Sequence, residues 1–182
     1  HPAFATCVAR SDANEGWREH RTDGGLLLDI ATGEVACAGL SMPHSPRWYR
    51  DRLWLVNAGT GEFGWVDLAH GRFEPVAFCP GFLRGLAFVG DHAVVGLSLQ
   101  RENRTFGGLA LDQRLADKGV SARCALQVID LARGDVAHEL RIEGVVSELF
   151  DVAVLPGVRN PGAVGFSNDE IRRTLVLPPG ID

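Results

Sequence analysis

The sequence is poor in lysine, methionine and tyrosine, with a single residue of each among 182, and the one lysine is Lys118. Its positive charge is therefore almost entirely arginine. The 18 basic residues are outnumbered by 23 acidic ones, which gives a net charge of -5. Proteins that bind a phosphate backbone rely on clustered lysine and arginine. The composition therefore argues against nucleic acid as a partner.

Long apolar runs are also missing, so we expect no membrane partner, and the start lacks the charged-then-apolar pattern of a signal peptide. The cysteines show no CxxC spacing; they are Cys7, Cys37, Cys79 and Cys124. We expect buried free thiols rather than disulfides or metal ligands, and a cytoplasmic location. The chain begins at His1 without an initiator methionine, in what resembles the middle of a strand. We expect a fragment or a processed piece of a longer protein.

Helical periodicity is nearly absent, and the one predicted helix is a short one over residues 109–118, ending before Gly119. A different pattern occurs three times: strand, Asp, apolar, Ala, any residue, Gly, any residue, apolar. The copies are residues 27–35, 65–73 and 128–136. In a tight hairpin, Asp can accept hydrogen bonds from the turn backbone and Gly can adopt the left-handed conformation. The sequence therefore predicts three hairpins.

The spacing of these copies indicates a larger repeat. Asp29 and Asp67 lie 38 residues apart, and the extra residues before Asp130 fall between Gln100 and Arg123. A second register superimposes residues 48–54 on residues 88–94. Repeats of about 40 residues with four strands and no helix are typical of β-propeller blades. We therefore predict an all-β, β-propeller-like fold of four-stranded antiparallel blades.

We predict one partial propeller domain over residues 1–182, with two complete and two partial blades. The approximate blade bounds are 1–40, 41–79, 80–143 and 144–182. The first blade lacks its innermost strand, strand A. The last has only strand A, at 149–155, and a Pro- and Gly-rich tail that could add a strand at 174–177. Soluble proteins avoid unpaired strand edges, so we expect a missing N-terminal half, a second chain or an assembly to complete the ring.

Several motifs carry a resemblance to a known family: GWREH at 16–20, GLSMPHSPRW at 39–48, PGFLRGL at 80–86, SELFDV at 147–152 and LPG at 155–157. In these motifs the chain resembles an uncharacterised bacterial family of propeller-like proteins, sometimes found beside tetratricopeptide repeats. The resemblance extends to about Leu177. Members of that family are about twice as long, and the chain is similar to their C-terminal half. The resemblance implies a propeller fold and implies no reaction.

Blade topology predicts where a site would lie. The connections from strand D to strand A share one face with those from strand B to strand C, and the short A-to-B and C-to-D turns lie opposite. The first face would collect residues 40–44, 79–84 and 144–148, together with loops 10–24, 57–61 and 100–123. Long loops on one face of a rigid scaffold tend to carry function. We therefore expect the functional site on this face.

The repeat aligns His44 with Arg84 at the start of two innermost strands, with Glu148 just ahead of the corresponding point in the last blade. Such groups, converging at the mouth of a central channel, could bind an anion, hold a metal or move protons. The structural alternatives are a turn-capping role for His44 and an ion pair between Arg84 and Glu148. The sequence leaves both interpretations open.

Strand alternation predicts His44 and Trp48 on one face of their strand and Arg47 on the other. Trp48 aligns with Phe88, so we expect it to pack between blades. Arg47 aligns with Ala87 and has no basic equivalent, which makes it a candidate ligand contact.

The first long loop is polar apart from Trp17, which could cover a ligand or could fix the loop to the core. Arg18 beside it could contact an anion or remain solvated. Our leading hypothesis is a domain that binds a small polar or anionic ligand, or a peptide, without a cofactor. The candidate binding residues are His44, Arg84, Arg47, Arg18, Trp17 and Glu148.

Two other functions remain open. One is a metal-assisted hydrolase or lyase of the propeller type, in which His44 and Glu148 would hold a divalent ion. The other is a scaffold that presents loops to protein partners, which predicts an exposed apolar patch. Whether the protein is an enzyme is not decided by its sequence.

Overall fold

The computed structural model describes residues 3–99 and 107–162, together with Asp169. Within these residues, eleven strands form three antiparallel sheets, accompanied by one α-helix and one short 3-10 helix. The predicted all-β fold of propeller-like blades is confirmed. The strand predicted at 174–177 lies outside the described residues.

Each sheet is formed by consecutive strands. The first contains β1 (Phe4–Cys7), β2 (Gly25–Asp29) and β3 (Val35–Leu40), in that order. The second contains β4 (Pro43–Tyr49), β5 (Arg52–Asn57), β6 (Glu62–Asp67) and β7 (Arg72–Phe78). The third contains β8 (Phe82–Val89), β9 (His92–Ser98), β10 (Ala125–Asp130) and β11 (Val136–Arg141). The innermost strands are β4 and β8, and the first sheet has no equivalent strand among the described residues.

The three predicted hairpins are confirmed in atomic detail. At the first, Asp29 Oδ1 accepts hydrogen bonds from the backbone N–H groups of Ala31, at 2.8 Å, and Thr32, at 3.1 Å. Asp67 and Asp130 accept the equivalent pairs of bonds. The repeated glycine has a positive φ in each copy: 73° at position 33, 62° at position 71 and 73° at position 134. The turn chemistry therefore fixes where each outer hairpin reverses.

The hydrophobic core lies between the sheets. Leu53 and Leu55 of β5 point towards the first sheet and pack in a cluster with Leu27. Trp54 and Val56 alternate with them and belong to the larger cluster shared with the third sheet. Strand alternation places successive side chains on opposite faces, so the second sheet is buried on both sides.

The predicted helix is confirmed as α1 (Ala110–Asp117). It buries Leu111 and Leu115, and the N–H of Leu111 donates a hydrogen bond to the carbonyl of Gly59 at 2.9 Å. Arg114 Nη1 forms an ion pair with Glu62 Oε1 at 2.6 Å. The helix therefore packs against residues 57–61, the loop between β5 and β6.

Both innermost strands contain a β-bulge at the same place in the repeat. In β4, His44 pairs with Val56 and Arg47 pairs with Trp54. The three residue steps from His44 to Arg47 therefore lie opposite only two residue steps on β5. The residue in the bulge is Ser45, with a φ of 54°. Paired residues point to the same face, and the bulge therefore puts His44 and Arg47 on one face. Our prediction that they lie on opposite faces was wrong because it assumed unbroken alternation.

Trp48 is 58% exposed, so the prediction that it packs between blades was also wrong. It pairs with Leu53 and therefore faces the first sheet. The described part of that sheet has no innermost strand to cover it. The equivalent Phe88 does pack, with its ring stacked on Tyr49 at 4.4 Å between centroids.

The strand predicted at 149–155 is absent, since these residues form no β-ladder. A strand requires a hydrogen-bonded neighbour, and the described chain provides none there. The preceding backbone is fixed at Leu149, whose N–H donates to Ser98 Oγ at 2.8 Å. Asp151 and Val152 then pass directly over Gly85 of β8. The segment thus lies beside β8 without a sheet of its own.

The four cysteines are free, and Cys37, Cys79 and Cys124 are buried, as predicted. Burial, with a smaller contribution from Glu139, raises the pKa of Cys79 to about 12. In the described part of the chain, no helix is long and apolar enough to cross a membrane.

Candidate functional site

The connections between strands fall on the two faces that the blade topology predicts. On one face the connection before β4 contacts the loop after β5, where the N–H of Gly59 donates to the carbonyl of Ser41 at 2.9 Å. On the opposite face the short turns meet, and Tyr49 Oη donates to the carbonyl of Gly90 at 2.6 Å. We call the first surface the long-loop face.

Two innermost strands bring His44 and Arg84 together near the long-loop face. His44 is the second residue of β4 and Arg84 is the third residue of β8. Buried Phe82 contacts both: its ring lies 5.8 Å from the His44 ring in an edge arrangement and 5.7 Å from the Arg84 guanidinium. We call His44, Phe82, Arg84 and Phe150 the inner-strand site.

The imidazole of His44 is uncharged at neutral pH. Burial, and secondly the nearby positive charge of Arg84, lower its pKa to about 4. Its Nε2 atom is buried and has no hydrogen-bond partner among the described residues. A neutral imidazole has one N–H donor and one nitrogen acceptor. His44 can therefore give or take one hydrogen bond at this atom without carrying charge.

Arg84 supplies the positive charge of the inner-strand site. Its guanidinium lies over two aromatic rings, 5.7 Å from the centroid of Phe82 and 5.4 Å from that of Phe150. Phe150 is 68% exposed and belongs to the segment that passes beside β8. Contacts between a cation and aromatic faces are attractive and hold the planar group in place. The site is thus a positioned cation next to a neutral imidazole.

Arg47 lies on the same strand face as His44 but contacts other groups. Its Nη1 donates to the carbonyl of Pro46 at 3.1 Å, and its Nη2 donates to Asp151 Oδ1 at 3.3 Å. These contacts connect the second sheet to residues 147–155. They favour a role for Arg47 in holding residues 147–155 against the second sheet. The ligand contact that we predicted for Arg47 stays a prediction.

Trp17 and Arg18 lie in the 3-10 helix Gly16–His20 of the first long loop. Trp17 packs against the larger core cluster, which favours its interpretation as a loop anchor. Arg18 forms an ion pair with Glu15 at 2.7 Å, and its guanidinium lies 5.1 Å from the Trp17 ring centroid.

Glu148 is half-buried in the connection after β11, next to the hydrogen-bonded Leu149. Among residues 3–99 and 107–162, no group of three or more His, Cys, Asp and Glu side chains could hold a metal ion. His44 and Glu148 therefore gain no third ligand of these types from the described chain. No observation here favours the metal-assisted hydrolase.

Two aromatic members of the inner-strand site were not among the predicted residues. Phe82 lies in the PGFLRGL motif as the first residue of β8, and Phe150 occupies the position of Arg84 in the last partial repeat. Both are visible in the aligned repeats. The sequence offers no sign, however, that a guanidinium lies over both rings.

The fold and the site define an all-β repeat domain whose innermost strands carry a half-buried histidine and an arginine held by aromatic rings. The chain belongs to the family described as Domain of unknown function (DUF4915), whose model matches residues 1–164. The predicted membership of an uncharacterised family is confirmed to this extent.

Other comparisons add little. No curated protein matches the chain. Among solved structures, the chain is similar to the computationally designed Ika8 protein, with 12% identity and a TM-score of 0.42 over 74% of this chain and 35% of that one. It is also similar to the designed Ika4 protein, with 14% identity and a TM-score of 0.40 over 72% and 68%. The chain thus spans about a third of Ika8, and neither likeness is close enough to carry an argument.

Proposed function

We propose that this domain binds a small anionic ligand at the inner-strand site, through Arg84 and His44. The observation that carries the proposal is the buried Nε2 atom of His44, which has no partner among the described residues. Leaving a buried polar atom without a hydrogen bond costs about 1–3 kcal/mol. Most buried polar atoms in folded proteins therefore have a hydrogen-bond partner. A bound ligand would supply the missing hydrogen bond.

The charge of the site determines which class of ligand it can bind. Arg84 is cationic, whereas the pKa of His44 near 4 leaves that imidazole neutral at physiological pH. A guanidinium forms paired hydrogen bonds with a carboxylate or a phosphate. The site therefore suits a ligand with one anionic group for Arg84 and one neutral polar group, such as a hydroxyl, for His44.

The same chemistry could come from a free metabolite or from an acidic side chain of a peptide. A small hydroxy acid is the form that we favour, because the ring of buried Phe82 packs against the half-buried His44 ring. The alternative ligand with the same chemistry is an acidic side chain of a peptide.

Thermal unfolding tests the proposal, because a ligand that binds only the folded state raises the midpoint, by an amount that grows with the logarithm of its concentration relative to Kd. We would titrate the protein with L-malate, with inorganic phosphate and with a tetraglutamate peptide. We expect L-malate to raise the midpoint, and His44→Ala and Arg84→Ala to abolish the rise. A rise with tetraglutamate alone would assign the site to a peptide.

Arg72→Ala is the matched control, since Arg72 is 70% exposed in its side chain and pairs with Glu74 on an outer strand. It should respond to L-malate as the parent does. Arg84→Lys separates charge from shape, because lysine keeps the charge and loses the planar fork. If His44→Ala and Arg84→Ala both respond as the parent does, the proposed site is wrong.

A further inference from the structure

A groove lies between the second and third sheets on the face of the short turns, opposite the long-loop face. Its volume is about 250 Å³, and its lining comes from β5, from the turns after β4 and β8, and from the hairpin between β10 and β11. The lining residues are Arg50, Arg52, Trp54, Asp91, Leu131 and Ala132. We call this space the arginine groove. Pockets for drug-sized ligands have volumes of roughly 300–1,000 Å³, so the arginine groove suits a single small group.

Arg52 has no anionic partner among the described residues. Its guanidinium lies 4.7 Å from the centroid of the Trp65 ring, and it forms no ion pair or hydrogen bond within residues 3–99 and 107–162. The neighbouring carboxylate of Asp67 is hydrogen-bonded to His70 Nδ1 at 2.7 Å and to two N–H groups of its own turn. An aromatic ring holds the face of a guanidinium and leaves its N–H groups available. Arg52 is therefore a positioned cation that can still bind an anion.

Arg50 is held at the edge of the same groove. It forms an ion pair with Asp91, and its guanidinium lies 5.5 Å from the centroid of the Tyr49 ring. Asp91 belongs to the third sheet, so the ion pair connects the two walls of the groove. Both side chains are more than half exposed, at 53% and 69%, and water weakens such a contact. The two guanidinium groups and the one carboxylate leave the groove with a positive charge.

The repeat indicates that the fold requires neither arginine. The equivalent residues forty positions later are Gly90 for Arg50 and His92 for Arg52. Arg50 has a φ of 49° and Gly90 has a φ of 54°, in the left-handed region that favours glycine. The turn thus holds Arg50 in a conformation that is unfavourable for arginine. Backbone strain of this kind is concentrated at functional sites, and here the strained residue lines the same groove as Arg52.

We propose that the arginine groove is a second anion site, which binds a phosphate group through Arg50 and Arg52. A phosphate group has enough oxygen atoms to accept hydrogen bonds from two guanidinium groups, whereas one carboxylate matches a single guanidinium. The groove lies on the face opposite the inner-strand site. The inference therefore goes beyond the proposed function and does not depend on it.

The rest of the lining leaves the two arginines to bind the anion. Trp54 is 4% exposed, and its indole N–H donates to the carbonyl of Tyr49 at 3.0 Å, so the indole presents an apolar surface to the groove. Leu131 adds an apolar side chain from the third sheet. Apolar walls with few polar groups are typical of small-ligand sites.

The indole N–H signals of the tryptophans in NMR spectra test the proposal directly. Trp54 lines the groove and Trp65 lies beside the Arg52 guanidinium, whereas Trp48 faces the first sheet. Single Trp→Phe variants assign the signals. We would titrate the protein with inorganic phosphate at constant ionic strength. We expect the signals of Trp54 and Trp65 to shift with a Kd on the order of 1 mM, and the signal of Trp48 to stay in place.

Substitutions in the groove make the test specific. Arg52→Gln should weaken phosphate binding about tenfold or more, since a charged hydrogen-bond donor is lost. Arg52→Lys should lose less, because it keeps the charge without the planar fork. Asp91→Asn should strengthen binding, because it releases Arg50. Arg133→Ala is the matched control: this side chain is 73% exposed and pairs with Asp135 beside the groove without lining it. It should bind phosphate as the parent does.

Arg84→Ala separates the two anion sites. It should leave the phosphate shifts of Trp54 and Trp65 unchanged, whether or not the inner-strand site binds L-malate. Acetate at the same concentration should cause smaller shifts. The proposal is overturned if both signals stay in place up to roughly 50 mM phosphate, a range that reveals even weak binding. It is also overturned if acetate acts equally, if Arg84→Ala abolishes the shifts, or if Arg52→Gln and Arg133→Ala weaken binding alike.

Discussion

The hydroxyl oxygen of Ser45 accepts a hydrogen bond from the backbone N–H of Gly85, forty residues later, at 3.1 Å. Both residues lie in the bulges of innermost strands and both have a positive φ, 54° at Ser45 and 79° at Gly85. The two bulges thus fix the register of neighbouring sheets against each other. They also set the directions of His44 and Arg84, which immediately precede them.

Removing this hydroxyl should weaken the contact between the sheets. We expect Ser45→Ala to lower the free energy of unfolding by about 1–2 kcal/mol, because the N–H of buried Gly85 loses its partner. Urea unfolding measures the change. Ser11→Ala is the control, since its hydroxyl accepts a bond from Ala13 in an exposed loop and should matter little. Equal stability of Ser45→Ala and the parent would show that this hydrogen bond does not stabilise the contact between the sheets.

Gly85 should tolerate no side chain. Its φ is 79°, and a Cβ would lie 2.5 Å from the nitrogen of Val152 and 2.6 Å from the carbonyl carbon of Asp151. We expect Gly85→Ala to cost about 2–4 kcal/mol, from backbone strain and from overlap with backbone atoms. Gly90→Ala isolates the strain, because Gly90 has a φ of 54° and open space around it. Similar losses in both variants would show that residues 151–152 do not press on β8.

Stability should depend on pH through His44. Its pKa falls from 6.5 to about 4 on folding, so between these values the unfolded chain binds more protons than the folded one. Stability is therefore full above pH 6.5 and is lost as the pH falls towards 4. We expect a loss of about 2 kcal/mol for this partly buried group. His44→Gln should flatten the urea-unfolding profile in that window, and an unchanged profile would contradict a neutral His44.

Cys79 should resist alkylation in the folded protein. It is fully buried, and burial raises the pKa of its thiol to about 12, so the reactive thiolate is scarce at pH 8. We expect iodoacetamide to leave Cys79 unmodified in buffer and to modify it in concentrated urea, as peptide mass spectrometry can show. Half-buried Cys7 serves as the internal comparison. Equal labelling of Cys79 and Cys7 in buffer would indicate that the third sheet opens readily.

Much of the architecture follows from the sequence because it depends on local chemistry. The Asp-x-Ala-x-Gly turns at Asp29, Asp67 and Asp130 need only a side-chain acceptor and a left-handed glycine. The spacing of these turns predicts the bounds of the blades, and the blade topology predicts which loops lie on each face. The paired positions of His44 and Arg84 follow from the same repeat.

The incorrect predictions have physical causes that short sequence patterns do not reveal. A single bulge at Ser45 reverses the faces of every later residue in β4, and so misplaces Arg47 and Trp48. Residues 149–155 have the composition of a strand, but a β-strand depends on a partner that the described chain does not supply. The aromatic surroundings of Arg84 arise from tertiary contacts between β8 and a distant segment.

The order of strands within the sheets also has a consequence for folding. Since strands that follow one another within a sheet are paired, each sheet can form from a continuous stretch of chain. The second sheet is buried on both faces, whereas β1 and β11 border sheets covered on only one. Backbone amides should therefore exchange with solvent most slowly in β5 and β6, and progressively faster towards both ends of the array.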